Sequence, residues 1–491
     1  MLRRGCVCLL LLSPLLALAG EPKDAAPAHR AIAAQLPITT NSPQARRSFD
    51  AAMRDFEQYR YPEMLRDLRA ATKADPKFAQ AFILLARQSG DPAEQAAARK
   101  RARQLASAAS PGERLLIRWL AGAQENDYIP AIAAMNDLLA EYPQDRRLLF
   151  LAGDWLVVQQ RYEQAGTVLE RAVAIYPDYA AALNDLAYAY AYTGKFEKAF
   201  SAMDHYVELE PDQPNPHDSY GEILRMAGHY EAALEQFRMS IRIDPSFGSE
   251  LGVADTYALM GKEDAAREEY ERSIVFATSQ SDKVQRELQS AVTWIREDNH
   301  KQAEKALNEV AMHAHNAGLG RLEAEAHRML AMYEPDFRSA MKHLQAAQNT
   351  LQDEREISAS DRDEELACIL RVRASRMAGA QELDSAAGAV RQLESMAARS
   401  RSQTIQLCYH GAAGAVLMAQ RRFTDAISHL EEASSDPLSL RLLWRAYSAT
   451  GDTADAQAVA AKLAALNVPT VEQALAVLQL RANLVSRAEQ P

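Results

Sequence analysis

The sequence predicts an all-α protein built as a solenoid of stacked antiparallel helix pairs. Three observations predict it. Prolines recur at Pro143, Pro177, Pro211 and Pro245, each 34 residues after the last. Alanines recur at the same step, at Ala131, Ala165, Ala199 and Ala233. Gly and Pro number only 20 each in 491 residues, too few for the many turns of a β protein. A fixed period of this size marks small helical units that stack, because one unit cannot bury its apolar stripe alone.

The unit from Ala180 to Pro211 shows why. Leu183, Leu186, Ala187 and Tyr190 fall at i, i+3, i+4 and i+7, one stripe of a helix. Thr193-Gly194 ends that helix, since Gly accepts the left-handed turn a C-cap often needs. Phe196, Ala199, Phe200 and Met203 begin a second stripe. Glu210-Pro211 closes the unit, because Pro disfavours helix at the residue before it. Small residues recur where two backbones must approach: Gly153 with Ala165, Ala187 with Ala199, and Gly221 with Ala233. Large residues recur where space must be filled: Leu169, Met203 and Phe237.

This order of small, large and turn positions resembles the tetratricopeptide repeat family. The likeness is closest over residues 112–276, looser over 44–111 and 404–466, and loosest between. It implies a right-handed α-solenoid that holds other proteins. About eleven repeats and a C-terminal capping helix are expected.

At the start of the chain, Arg3 and Arg4 precede an apolar run through Leu9 to Leu12 and Leu15-Leu16. Ala17-Leu18-Ala19 then offers a small-x-small cleavage pattern. Residues 1–19 read as a secretory signal peptide. Cys6 and Cys8 lie before the run ends, so neither is placed like a lipid-bearing cysteine. The signal looks bacterial, so an exported, periplasmic protein is expected, with no membrane span after cleavage. Residues 20–43 read as a flexible leader, and Ser42-Pro43 as the cap and first turn of the first helix.

Regular repeats are expected over 44–276. Their small position falls at Met64, Ala98, Ala131, Ala165, Ala199, Ala233 and Ala266. Met64 and Trp119 depart from the small residue the family prefers, which suggests two distorted units. Over 277–403 the period loosens and longer helices are expected, with Ala303, Ala340 and Ala387 in the same role. Residues 404–491 should hold further repeats, marked by Ala426 and Ala456, and a last helix from Thr470 to Val485. Cys368 and Cys408 sit at matching positions of neighbouring repeats. Packed helices of this kind place Cα atoms about 8–10 Å apart, beyond the ~7 Å limit for a bridge, so two buried thiols are expected.

Other motifs carry less. Ser339-Ala340-Met341-Lys342 matches the Ser-x-x-Lys pattern of acyl-enzymes but lacks a Lys-Thr-Gly partner and sits inside a predicted helix. Thr193-Gly194-Lys195 lacks an upstream glycine loop. His313 and His315 point to different faces of a helix, Glu323 and His327 share one, and no His-Glu-x-x-His spacing exists; these histidines and His343 read as surface or partly buried. The basic run Arg99-Lys100-Arg101 spreads around its helix. A net charge of −11 disfavours nucleic acid and anionic membrane as partners. No enzyme activity, cofactor or metal is expected.

The resemblance implies that the free face of each first helix lines a concave groove. Those positions are Leu151, Asp154 and Val158; Asp185, Tyr188 and Tyr192; Ser219, Glu222 and Met226; Gly252, Asp255 and Leu259. Each unit places one carboxylate there, and none of the twelve is Lys or Arg. The clamp by which some relatives hold a C-terminal carboxylate needs Lys, Arg and Asn on this face. Spaced carboxylates with Tyr188, Tyr192 and Met226 between them suit a basic, partly apolar segment. The expected function is a non-catalytic scaffold or adaptor of the cell envelope; the alternative is a permanent subunit of an envelope, secretion or polysaccharide-export assembly.

Overall fold

The structure is a computed structural model and describes residues 35–354, 357–477 and 480. The expected signal peptide, the first part of the leader and the end of the last helix lie outside the described residues. Those residues hold 24 α-helices up to Ala464, a further helical stretch at 471–477, one short 3-10 turn and no strand.

The helices run as twelve consecutive pairs, one more than the expected eleven. The first seven are α1 (Pro43–Glu57) with α2 (Tyr61–Ala74), α3 (Ala79–Gln88) with α4 (Pro92–Leu105), α5 (Pro111–Gln124) with α6 (Tyr128–Glu141), α7 (Arg146–Val158) with α8 (Tyr162–Ile175), α9 (Ala180–Tyr192) with α10 (Phe196–Leu209), α11 (Pro214–Met226) with α12 (Tyr230–Ile243), and α13 (Glu250–Leu259) with α14 (Glu263–Val275). Five more follow: α15 (Gln280–Arg296) with α16 (His300–Asn316), α17 (Gly320–Tyr333) with α18 (Phe337–Asp353), α19 (Ala359–Gly379) with α20 (Leu383–Arg399), α21 (Gln403–Ala419) with α22 (Phe423–Glu432), and α23 (Pro437–Thr450) with α24 (Thr453–Ala464). From α3 onward first helices stack on those of the next pair, as α3 on α5, α7 on α9 and α9 on α11, and form the inner face, while α1 packs on α2 and crosses that face at α3 and α7.

Local chemistry sets the starts and stops. The Ser42 side chain accepts the Ala45 N–H with Pro43 in the first turn, and Ser110 with Glu113 forms a capping box on α5. The turns inside pairs place one residue in the left-handed region at the 34-residue step: Asn126 (φ 61°), Gln160 (56°), Gly194 (74°) and Gly228 (82°). There Lys195 N–H closes back on the Tyr190 carbonyl at 2.8 Å.

The repeat register is a matter of plugs. Ala165, Ala199, Ala233 and Ala266 are fully buried, as are Leu169, Met203 and Phe237. A Cβ on Gly153 would collide with the Leu169 side chain, and one on Gly221 would lie 2.8 Å from the Phe237 ring. Trp119 is accommodated without solvent contact, edge-on to Trp155 at 5.8 Å. One position moves. The buried small residue of α20 is Ala386, while Ala387 is half-buried. In a helix of 17 residues the apolar stripe drifts enough for two adjacent alanines to compete for the contact.

Both ends fold inward. Residues 35–42, expected to be flexible, are tied to the N-terminal ends of first helices: Leu36 N–H donates to Asp145 at 2.7 Å and Gln80 donates to the Pro37 carbonyl at 2.6 Å. Residues 471–477 are helical, but they do more than cap the last pair. Val471 and Ala474 pack with Val284, Leu288 and Leu330, while Ala476 and Val477 pack with Leu443 and Leu463. The solenoid also curls until its two parts touch. Asn126 donates to Asp363 at 2.5 Å, and Arg161 donates to the Arg401 carbonyl at 2.7 Å.

Candidate functional site

The expected groove positions lie on the inner face, and their carboxylates are already engaged. Asp154 on α7 pairs with Arg87 from α3, both mostly buried. Asp185 on α9 is buried; the Tyr59 hydroxyl lies 2.7 Å from its Oδ1, and Asn184 donates to the same oxygen at 3.3 Å. Its Oδ2 is buried without a hydrogen-bond partner. Burial, and then the charge of Asp154, pushes the Asp185 carboxyl well above the usual range. Asp255 on α13 is buried between Arg225 at 2.9 Å and the Tyr270 hydroxyl at 2.5 Å. Burial raises its pKa, although Arg225 opposes the shift.

No Lys or Arg holds one of the twelve positions, yet two guanidinium groups reach the face. Arg225 follows Glu222 by three residues, and Arg87 comes from a helix outside the four units considered. Long side chains reach past their own helical position, which counting positions does not show.

The more open part of the face lies toward α11. Glu222 is half-buried and accepts the Tyr188 hydroxyl at 2.5 Å. Asp218 lies one turn away, and burial with the Glu222 charge pushes its carboxyl up to about 7. Tyr192 and Val158 are exposed, and Tyr192 stacks on Tyr162 with ring centroids 4.2 Å apart. The half-buried Met226 takes a bond from Asn467 to its carbonyl at 3.2 Å.

The later pairs carry a different inner face. Arg328 meets Glu365 at 2.7 Å and Glu472 at 3.5 Å, and Arg371 pairs with Asp436. With Cys368, Arg376 and Arg441 these arginines line a pocket of about 480 Å³. Cys368 and Cys408 are unbridged, with Cys408 buried and Cys368 half-buried. Their sulfurs are only 3.4 Å apart, so the side chains turn toward each other across the packed helices, and separation is not what keeps them thiols. His313 faces Glu287 and His315 faces Glu323. His327 meets His343 across α17 and α18 at 3.3 Å, and His410 meets His429 across α21 and α22 at 3.1 Å. The sequence reading singled out the first pair's members without pairing them, and missed the second. Among the described residues no group of three or more metal-ligating side chains converges, and no helix is long and apolar enough to cross a membrane.

Stacked pairs with an inner face lined by helix side chains define a helical-repeat protein that presents a surface. Two family profiles, each described as tetratricopeptide repeat, match residues 156–223 and 123–180. Tetratricopeptide repeats bind proteins or peptides, so this part of the chain is a protein-interaction scaffold. Among solved structures, the APC/C hetero-tetramer Cut9-Hcn1 is 16% identical with a TM-score of 0.42, covering 84% of this chain and 78% of that chain. Yeast Tom70 is 14% identical with a TM-score of 0.40, covering 84% and 96%. MamA is 16% identical with a TM-score of 0.27, covering 33% and 95%. No curated protein matches.

Proposed function

We propose that the chain is an exported, non-catalytic adaptor of the bacterial cell envelope that binds a basic, partly apolar segment of a partner protein on its inner face. The export part is supported by the charged, apolar and small-residue pattern of residues 1–19. The binding part rests on one observation: the half-buried carboxylates Asp218 and Glu222 lie one turn apart beside the exposed Tyr192, with Arg225 3.8 Å from Glu222 as the nearby cation. An arriving ammonium or guanidinium group meets two carboxylates there, and the stacked Tyr192 and Tyr162 offer it a ring face. Val158 and Met226 supply the apolar edge. Asp154, Asp185 and Asp255, held by Arg87, Tyr59 and Arg225, shape the wall rather than meet the partner first.

Glu222→Lys tests this reading. The residue is half-buried at the surface, so the reversal leaves the fold standing, whereas a lysine at buried Asp185 would not. The tagged chain is recovered from the periplasmic fraction and used as bait there. The partner captured by wild type should bind Glu222→Lys at least tenfold more weakly, and its affinity for wild type should fall as salt rises. Equal binding by both forms, or recovery of the uncleaved chain from cytoplasm alone, overturns the reading.

A further inference from the structure

The inner face between α3 and α9 has a resident, the chain's own residues 35–60. Their path starts extended. Asp145 accepts the Leu36 N–H and Gln80 donates to the Pro37 carbonyl. The Thr39 hydroxyl donates to Glu113 and the Thr40 hydroxyl to Asp75. Then α1 crosses the first helices. Phe49 packs against Phe78 at the start of α3, with centroids 4.8 Å apart, and Phe56 against Phe150 of α7 at 5.0 Å. Glu57 receives Arg146 and Arg147 at 3.0 Å each, and Asp50 lies 3.9 Å from Arg147. Tyr59 ends the crossing at Asp185 and the Ala181 carbonyl on α9. A helix of 15 residues is about 22 Å long, long enough to reach from α3 to α9 only by lying across them.

Three features make this a ligand's mode of contact. Asp145 and Gln80 bind main-chain groups, so they hold an extended stretch whatever its side chains. Phe49-Asp50 and Phe56-Glu57 repeat one dipeptide at i and i+7, which puts both aromatics in the groove and both acids beside Arg146 and Arg147; this is how an amphipathic helix is read by a groove. The seam between resident and groove also stays open to solvent, as a cleft of about 240 Å³ where Leu36, Phe49 and Met53 face Leu84, Leu116 and Leu148 beside Asp145, Arg146 and Arg147.

We propose that residues 35–60 are an intramolecular ligand closing a peptide-binding groove on α3–α9, and that the groove's external ligand is a protein segment of the same chemistry. That segment is an extended stretch followed by a helix carrying aromatic–acidic dipeptides one heptad apart. The site shares α7 and α9 with the Glu222 site but uses their N-terminal halves, at Arg146, Arg147, Phe150 and Ala181, where the other uses Val158, Tyr188 and Tyr192 at their C-terminal ends, and it prefers the opposite sign of charge. Tethering gives the resident a millimolar effective concentration, so an outside segment binds only in proportion to the open fraction.

The test uses a fluorescent synthetic peptide of residues 35–60 and the full chain. Phe49→Ala, Phe56→Ala and Glu57→Ala together weaken the resident and leave every groove residue in place. The peptide should bind this variant at least tenfold more tightly than wild type, and added salt should weaken that binding through Arg146 and Arg147. A peptide carrying the same three changes should bind neither. Circular dichroism reports whether the variant is folded. If it is not, Glu57→Gln alone replaces it, and hydrogen exchange should then rise at 35–60 while α7 stays protected. The proposal is overturned if a folded variant with a released resident takes up no peptide. It is also overturned if residues 35–60 exchange as slowly as α7 in both variants, because they are then an ordinary part of the core.

Discussion

The regular pairs through α14 and the longer pairs from α15 solve one stacking problem with different inner faces. In the first, helices run 10 to 15 residues, and inner carboxylates are sealed by tyrosines and by one arginine at a time. In the second, α15, α16 and α18 to α21 run 17 to 21 residues; first-helix arginines again clasp acids, Arg328 with Glu365 and Arg371 with Asp436, but these pairs lack the tyrosine hydroxyls that seal Asp185, Glu222 and Asp255. The difference shows that stacking depends on the contact between a small residue and a large one, not on helix length. Gly414 abuts Leu430 in the later part as Gly153 abuts Leu169 in the earlier. A regular period appears only where the helices also keep one length.

The comparison breaks most sharply at Arg328. Arg328→Ala strands the Glu365 carboxylate in the interior and should cost about 3–5 kcal/mol, while Arg328→Met with Glu365→Leu should recover most of it. Thermal melting of the three proteins checks this; equal stability of the two variants would mean the long-helix region does not lean on its ion pair. Next in size is Ala199→Leu, which overpacks the α9–α10 contact and should cost about 1–3 kcal/mol. A variant that melts with wild type would remove the small-against-large account from the regular region.

The smallest effect sharpens the contrast through pH. Burial pushes Asp218 and Glu263 up to about 7. Protonation therefore favours the fold there, and that contribution is lost as pH rises through about 7. Burial lowers the pKa of His327, His343, His410 and His429, with mutual repulsion adding to the shift at His327 and His410; nearby Glu323, Glu334, Glu394 and Asp425 oppose it. Their contribution is present above about 6.5 and is lost as pH falls through the lowered values. Between pH 7.5 and 5, protection factors, which divide out the intrinsic pH dependence of amide exchange, should rise in α11–α14 and fall in α17, α18, α21 and α22, where the four histidines lie. A shift of the same sign in both regions refutes this division.

Much of the fold was legible because its cause is local. The 34-residue step of Pro and Ala, the cap at Ser42 and the turn at Gly194 all act within one unit. The position of Ala386 was missed by one residue because two neighbouring alanines compete on a long helix. The site was less legible because its partners are distant in sequence. Asp185 looks like a free carboxylate until Tyr59, 126 residues earlier, is placed on it. Arg87 and Asp154 lie 67 residues apart, on first helices two pairs apart; such meetings follow from superhelix curvature, which no single repeat encodes.

The curl that brings Asn126 to Asp363 and Tyr230 to Asn467 sets a clock. Each of these bonds spans 237 positions. Stacked repeats can form as they are made, each on the one before. These two bonds cannot, because their second halves do not yet exist. At about 5–20 residues per second, the wait between synthesis of the two partners is on the order of 10–50 s. Through that interval the turn bearing Asn126 and Tyr128 stands without Asp363 and Glu364 against it, as an uncovered edge of the nascent chain.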